Sequence, residues 1–149
     1  MNRNSTNTPA RWAVRWLLLA VLLLLAVLAV AGLRREQPEP LAERTEFPWG
    51  TGGRVQYAVG GAAPEDVPLS PEDFREIVSA ALVVPDRPSN AMPPAYFYLY
   101  TWDENGGFAD CGVGPAGEII LGVGGEHHYW REPEPAAYAT LYELAFGGA

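Results

Sequence analysis

The longest apolar run in the chain extends from Trp16 to Leu33 and contains no charged, hydroxyl or amide side chain. Eighteen residues of α-helix rise by about 27 Å, close to the roughly 30 Å hydrocarbon core of a bilayer. A helix also bonds its central backbone N–H and C=O groups internally, as lipid requires. The pattern therefore predicts a transmembrane helix over 16–33, with the lipid bilayer as its partner, preceded by a leader over 1–15.

The charges that flank this run indicate its orientation. They are Arg3, Arg11 and Arg15 before it and Arg34 and Arg35 after it. Because a short basic leader before the first apolar run is typical of export signals, we expect a cytoplasmic N-terminus and a C-terminal domain outside the cell membrane. An Ala-x-Ala pattern at 29–31 leaves an alternative, a secreted soluble domain after cleavage before Gly32. The length of the run favours a retained single-pass signal anchor.

Periodicity is absent from residues 34–53 and returns in residues 54–149. The first stretch mixes charge, Pro and Gly, which predicts an extended tether. Residues 54–59 then alternate as a half-buried strand does. Ser70, Pro71 and Asp73 form the start of a helix with a buried stripe that runs from Phe74 to Leu82. Four prolines in residues 85–94 predict a loop.

The remaining pattern predicts a four-stranded meander and a closing helix. The strands are expected at 95–102, 108–113, 118–123 and 126–131, and the helix from Pro135 to Gly147-Gly148, with Ala137, Leu141, Leu144 and Ala145 on its buried stripe. Asn105-Gly106 predicts a type I′ turn, a register that sets Tyr100 opposite Cys111 and Tyr98 opposite Val113. The expected class is α+β: an N-terminal transmembrane helix and a small antiparallel-sheet domain, order β-α-β-β-β-β-α, with the helices on one face.

Charge and composition exclude several functions. Residues 34–149 carry all eighteen acidic residues and seven arginines, a net charge near −11 (7 − 18). Such a domain repels phosphate backbones, so no nucleic-acid partner is expected. The chain has no lysine, which excludes a Schiff-base or P-loop lysine. Cys111 is the only cysteine, so no disulfide forms within the chain.

Cys111, His127 and His128 are the residues that suit catalysis or metal binding. A thiolate–imidazolium pair would make an exported small hydrolase of Cys111 with His127 or His128. A position inside a strand of an acidic domain disfavours the thiolate, so we expect no enzyme activity and no catalytic residue. Neighbouring strand residues point to opposite faces, so the two histidines do not share a metal ion. Neither a metal nor a cofactor is expected.

An aromatic row in the first meander strand is the predicted ligand-binding site. It consists of Tyr96, Tyr98, Tyr100 and Trp102, which alternate and so share a face. If exposed, this face is a platform for a protein or glycan partner; the alternative is that it forms the core under the helices. The favoured function is a membrane-anchored extracytoplasmic interaction module without catalysis. A further alternative is a subunit of a larger membrane complex. The plan loosely resembles that of small bacterial membrane-anchored proteins, a similarity that implies no site.

Overall fold

The N-terminal unit of the chain is one long apolar helix. A computed structural model describes residues 8–35, 37–89 and 93–147, and it divides into two compact units at Gln37 and Pro38. Helix α1 spans Thr8–Arg35, and its part Trp12–Leu33 has a mean hydropathy of 2.9. That segment is long and apolar enough to cross a membrane, and a signal sequence near an N-terminus has the same properties. Residues 1–7 of the predicted leader lie outside the described residues.

The second unit is an α+β domain built on one antiparallel sheet, which confirms the predicted class. Its elements are β1 Glu39–Pro40, α2 Leu41–Arg44, β2 Gly52–Val59, β3 Glu65–Asp66, α3 Pro71–Ala80, β4 Leu82–Pro85, β5 Ala95–Trp102, β6 Phe108–Val113, β7 Glu118–Val123, β8 Glu126–Arg131 and α4 Ala137–Phe146. The sheet has eight strands in the order β1-β4-β8-β7-β6-β5-β2-β3. The predicted meander is its centre, β5 to β8.

The predicted order of elements was incomplete, because β1, α2, β3 and β4 were missed. Three of the four, β1, α2 and β3, lie inside segments predicted to be irregular, and none of the four is longer than four residues, which is too short for periodicity to reveal. Residues 38–53, predicted to be tether, belong to the domain. Leu41 is buried and its N–H donates to the Ala81 carbonyl at 2.9 Å. The buried Thr101 hydroxyl donates to the Trp49 carbonyl at 2.6 Å. Tertiary hydrogen bonds therefore hold this segment.

Helix α3 begins as predicted and ends earlier. The Ser70 hydroxyl oxygen accepts the Asp73 N–H at 3.0 Å, and Pro71 occupies the first turn. Ala81 leaves the helical conformation, and Leu82 starts β4 with 54% of its surface exposed. The predicted placement of Leu82 on the buried helical stripe was therefore wrong, because Leu82 pairs with β1 in the sheet.

The turn between β5 and β6 differs from the predicted type I′ turn, and the register of the hairpin shifts by one residue. Beyond the strand ends the Asp103 N–H still donates to the Gly107 carbonyl at 3.0 Å, so the loop has three residues, 104–106, of which only Gly106 has a positive φ (79°). Asp103 fixes it, because its carboxylate accepts the Asn105 and Gly107 N–H groups at 2.8 and 2.7 Å. A three-residue hairpin loop with glycine in the left-handed position is the next most common solution after the two-residue turns. Tyr98 consequently lies opposite Gly112.

The core lies on one face of the sheet, under α3 and α4, as predicted. It joins Phe74 and Val78 of α3 and Leu141 of α4 to the alternate residues of the strands. Those strand residues are Val55, Val83, Phe97, Leu99, Cys111, Val113, Ile119 and Leu121. Leu144, which was predicted to lie on the buried stripe of α4, is 54% exposed. Gly147 follows the helix, and Gly148 lies outside the described residues.

Candidate functional site

The predicted aromatic row lies on the sheet face opposite the helices. Tyr96, Tyr98 and Tyr100 are half-buried and Trp102 is 44% exposed, whereas the residues between them in β5 are fully buried in the core. We call the side that carries these four aromatic residues the tyrosine face. The core is therefore made by the alternate residues of β5, and α3 and α4 lie on the other side of the sheet from the row.

The rings of the tyrosine face form a continuous row. The centroids of Tyr96 and Tyr98 are 6.3 Å apart, those of Tyr98 and Tyr100 are 4.3 Å apart, and both pairs are edge-to-face. Phe108 continues the row at 5.3 Å from Tyr100. The Arg54 guanidinium lies 5.7 Å from the centroid of the Tyr100 ring, a cation–π geometry. One ring of the row thus already holds a cation.

A cavity of about 270 Å³ opens on the tyrosine face. One row of paired residues crosses it from strand to strand: Tyr98 of β5, Gly112 of β6, Ile120 of β7 and Tyr129 of β8. Because Gly112 carries no side chain, a gap remains between the Tyr98 ring and Ile120. The cavity has aromatic walls and an apolar floor.

The next row along the sheet contains a second glycine. It runs from Tyr100 through Asp110 and Gly122 to His127. A Cβ at Gly122 would collide with the Asp110 carboxylate, so the carboxylate lies over this glycine. Asp110 and His127 form one end of the cavity.

Glu118 forms the other end of the cavity. The Gly114 N–H donates to the Glu118 carbonyl at 2.8 Å, which sets the two residues side by side. A Cβ at Gly114 would collide with the Glu118 carboxylate, which also accepts the Ala116 N–H at 2.9 Å. Each end of the cavity therefore has a carboxylate that lies over a glycine, Gly122 of β7 at one end and Gly114 just after β6 at the other.

The polar groups of the cavity leave it negatively charged. Burial together with the negative charge of Asp110 raises the pKa of Tyr98, so this hydroxyl stays protonated. Within residues 8–35, 37–89 and 93–147, ion pairs to Arg or His are found for Glu39 and Asp86, and Asp110 and Glu118 have none. The two carboxylates thus keep acceptor capacity toward the cavity.

The structure does not bring Cys111 and the histidines together. Cys111 is fully buried on the helix-covered face, and burial, with Asp110 beside it, raises the pKa of its thiol. His128 is on the same face, but Leu121 lies between the two residues, which puts them two strands, or roughly 10 Å, apart. His127 lies on the opposite face, at the cavity. Among the described residues no group of three or more His, Cys, Asp or Glu side chains is arranged to hold a metal ion.

Sequence reasoning found the tyrosines and missed their neighbours. Asp110 and Gly112 line the cavity with them, yet the type I′ register set Tyr98 opposite Val113 and thereby put both residues on the other face. The signal that could have revealed them is Asp103, whose side chain favours a turn that starts one residue earlier.

The candidate site is therefore defined by the geometry of these cavity residues. It combines tyrosine walls, a glycine and isoleucine floor and a carboxylate at each end, on the sheet face opposite α3 and α4. An arrangement of this kind holds a ligand by ring contact and by hydrogen bonds to carboxylates. Comparison of the chain with protein-family models, with curated proteins and with solved structures gives no match.

Proposed function

We propose that the chain is a membrane-anchored binding module without catalytic activity, and that the tyrosine face of its domain recognises the ligand. In this proposal α1 stays in the cell membrane with its N-terminus in the cytoplasm, and the domain lies outside. The single observation that carries the proposal is the cavity of about 270 Å³ between Tyr98 and Tyr129.

The structure of the tyrosine face supports this proposal in two ways. Its rings are held in place by one another and by the sheet, so a ligand that packs on them orders few side chains and the entropic cost of binding is small. Concave sites with aromatic walls and a few polar groups are also the usual form of ligand sites in proteins. The expected partner of the wider face is a protein or a glycan.

The alternative function, a hydrolase that uses Cys111, has less support. A nucleophilic thiol needs an electropositive and accessible setting and a base within hydrogen-bond reach. Cys111 is buried beside Asp110, and the pKa of its thiol is raised.

Site-specific photo-crosslinking tests the proposed function. A photoreactive amino acid replaces Tyr96 on the cavity wall in the full chain, which is irradiated in its native membranes and weighed intact. The expected result is a discrete adduct, whose mass shows whether the ligand is a small molecule, a glycan or a protein.

The matched control carries the same photoreactive residue at Leu144, which is 54% exposed on α4, away from the tyrosine face. The adduct should be absent there. Identical adducts at the two positions, or no adduct at position 96 in a protein whose tyrosine face also binds no small molecule, would overturn the proposed function. The same intact-mass measurement on the membrane fraction tests the anchor. The full-length mass is expected, whereas the mass of a chain that begins at Gly32 would show cleavage.

A further inference from the structure

The charges of the cavity select the sign of its ligand. Asp110 and Glu118 are the acidic residues that line it, and none of the described lining residues is an arginine. Burying an anionic ligand beside two carboxylates would be strongly unfavourable, whereas a cation gains a charge-assisted hydrogen bond at either of them. The ligand is therefore expected to be positively charged.

The walls of the cavity suit an organic cation. Three tyrosines line it, Tyr96, Tyr98 and Tyr129. The faces of aromatic rings carry negative charge and attract ammonium and guanidinium groups. The next ring of the row, Tyr100, already contacts the Arg54 guanidinium at 5.7 Å. A hydrated metal ion would gain nothing from such walls or from Ile120.

The spacing of the two carboxylates indicates how many charges the ligand carries. Asp110 of β6 and Gly114, the residue after β6, lie four residues apart, which is roughly 14 Å at the rise of an antiparallel strand. Glu118 lies beside Gly114, so the two carboxylates are at opposite ends of the cavity. Gly112 and Ile120 between them offer no charged group and no hydrogen-bonding side chain. One small cation reaches one end only, and an elongated ligand with a cation at each end reaches both.

We propose that the cavity binds a linear aliphatic diamine or polyamine, with one ammonium group at Asp110, another at Glu118 and the methylene chain over Gly112 and Ile120. This inference rests on the proposed function, because it names the ligand of the same site. The ammonium groups donate to the free lone pairs of each carboxylate, and the chain packs between the rings of Tyr98 and Tyr129.

Three probes of equal length test the proposal: 1,8-diaminooctane, 8-amino-1-octanol and 1,8-octanediol, with two, one and no charges. The protein is the full chain in micelles of a polyoxyethylene detergent, which carries no sugar, charge or ammonium group. Binding is followed through the amide NMR signals of Gly112 and Gly122. We expect the diamine to bind at least about tenfold more tightly than the amino alcohol, and the diol to bind most weakly.

Two substitutions remove the charges while keeping the structural contacts. Asp110→Asn keeps the size of the side chain, and Glu118→Gln retains an oxygen that can accept the Ala116 N–H. Either should weaken diamine binding by about tenfold. Glu104→Gln, in the exposed β5–β6 loop, makes the same change in net charge and should leave the affinity unaltered. Using two variants protects the test against a folding defect in one of them.

Equal affinities for the three probes, or diamine binding that neither cavity substitution weakens, would overturn the inference. Its failure is distinguishable from that of the proposed function. A protein or glycan adduct at position 96 without diamine binding would leave the binding module intact and refute the diamine. Diamine binding that depends on Asp110 and Glu118, without an adduct at position 96, would support the ligand class and refute recognition of a larger partner.

Discussion

The two faces of the sheet are built from the same strands and differ in what their side chains contact. On the covered face, Phe97 and Leu99 pack under α3 and α4. On the tyrosine face, Tyr96 and Tyr98 alternate with them along the same strand and line a cavity. Both faces are rich in apolar and aromatic residues, so hydrophobicity alone does not distinguish them. What distinguishes them is the cross-strand neighbours, which are large on the covered face and include glycines and a carboxylate on the other.

Buried polar groups show the same contrast. The Thr101 hydroxyl, at the edge of the covered face, is 1% exposed and donates to the Trp49 carbonyl, so its hydrogen bond fastens the chain before β2 to the sheet. The Tyr98 hydroxyl on the tyrosine face lies at the wall of the cavity, where burial and the neighbouring Asp110 charge raise its pKa. The Thr101 hydroxyl stabilises the fold, and the Tyr98 hydroxyl belongs to the proposed site.

Neighbouring substitutions in β5 should separate the two faces most strongly. Phe97→Ala deletes a fully buried ring and should lower the free energy of unfolding by about 3–5 kcal/mol, through lost burial and the cavity that remains. Tyr96→Ala, one residue earlier, removes a half-buried ring from the tyrosine face and should cost about 1 kcal/mol. Urea unfolding of the full chain, followed by near-ultraviolet circular dichroism, measures both changes. Equal losses would mean that the tyrosine face is a second core.

How much of this architecture the sequence predicts depends on how local each signal is. The apolar helix, the start of α3 at Ser70 and the central strands follow from nearest-neighbour patterns, and they are found in the structure. The strands β1 and β4 do not follow from such patterns, because β4 forms by pairing with β1 on one side and with β8 on the other. A two-residue strand has no period of its own.

The cavity was predictable only in part for the same reason. Alternation in β5 puts Tyr96, Tyr98 and Tyr100 on one face, and this needs no knowledge of the partner strand. Their neighbours depend on the register of the hairpin, and a shift of one residue changes every cross-strand pair. The places of Gly112 and Asp110 on the tyrosine face could therefore not be predicted from a type I′ turn at Asn105-Gly106.

A second test compares the buried carboxylate at the N-terminus of α4 with the carboxylates of the cavity. Glu132 is 4% exposed and accepts the N–H groups of Ala136 and Ala137 at 3.3 and 3.1 Å, which caps α4. Glu132→Ala should cost about 1–2 kcal/mol of stability through loss of the cap. Asp110→Ala, on the tyrosine face, should cost less, because Asp110 caps no helix. Urea unfolding at neutral pH measures both.

The pH dependence of Glu132 has a definite sign. Burial raises the pKa of its carboxyl above the ordinary 4.5, and the two backbone N–H groups lower it by less. The folded chain therefore holds this proton more strongly than the unfolded chain. The resulting stabilisation is complete below the unfolded pKa and is lost as the pH rises through the raised folded pKa. Glu132→Gln should remove this component, so its stability should fall less between pH 4 and pH 7. A parallel decline in the two proteins would contradict the assignment.

The smallest expected effect tests the register of the β5–β6 hairpin, because the difference between the two faces depends on that register. In the three-residue loop only Gly106 has a positive φ, so Gly106→Ala should cost about 1 kcal/mol and Asn105→Ala less than about 0.5 kcal/mol. A type I′ turn would require a positive φ at both positions, and both substitutions would then be costly. Urea unfolding of the two variants measures the difference. Comparable losses would shift the pairing by one residue, move Val113 opposite Tyr98 and remove Gly112 from beneath the ring. The gap that makes the tyrosine face a cavity would close, and with it the reason to expect a ligand there.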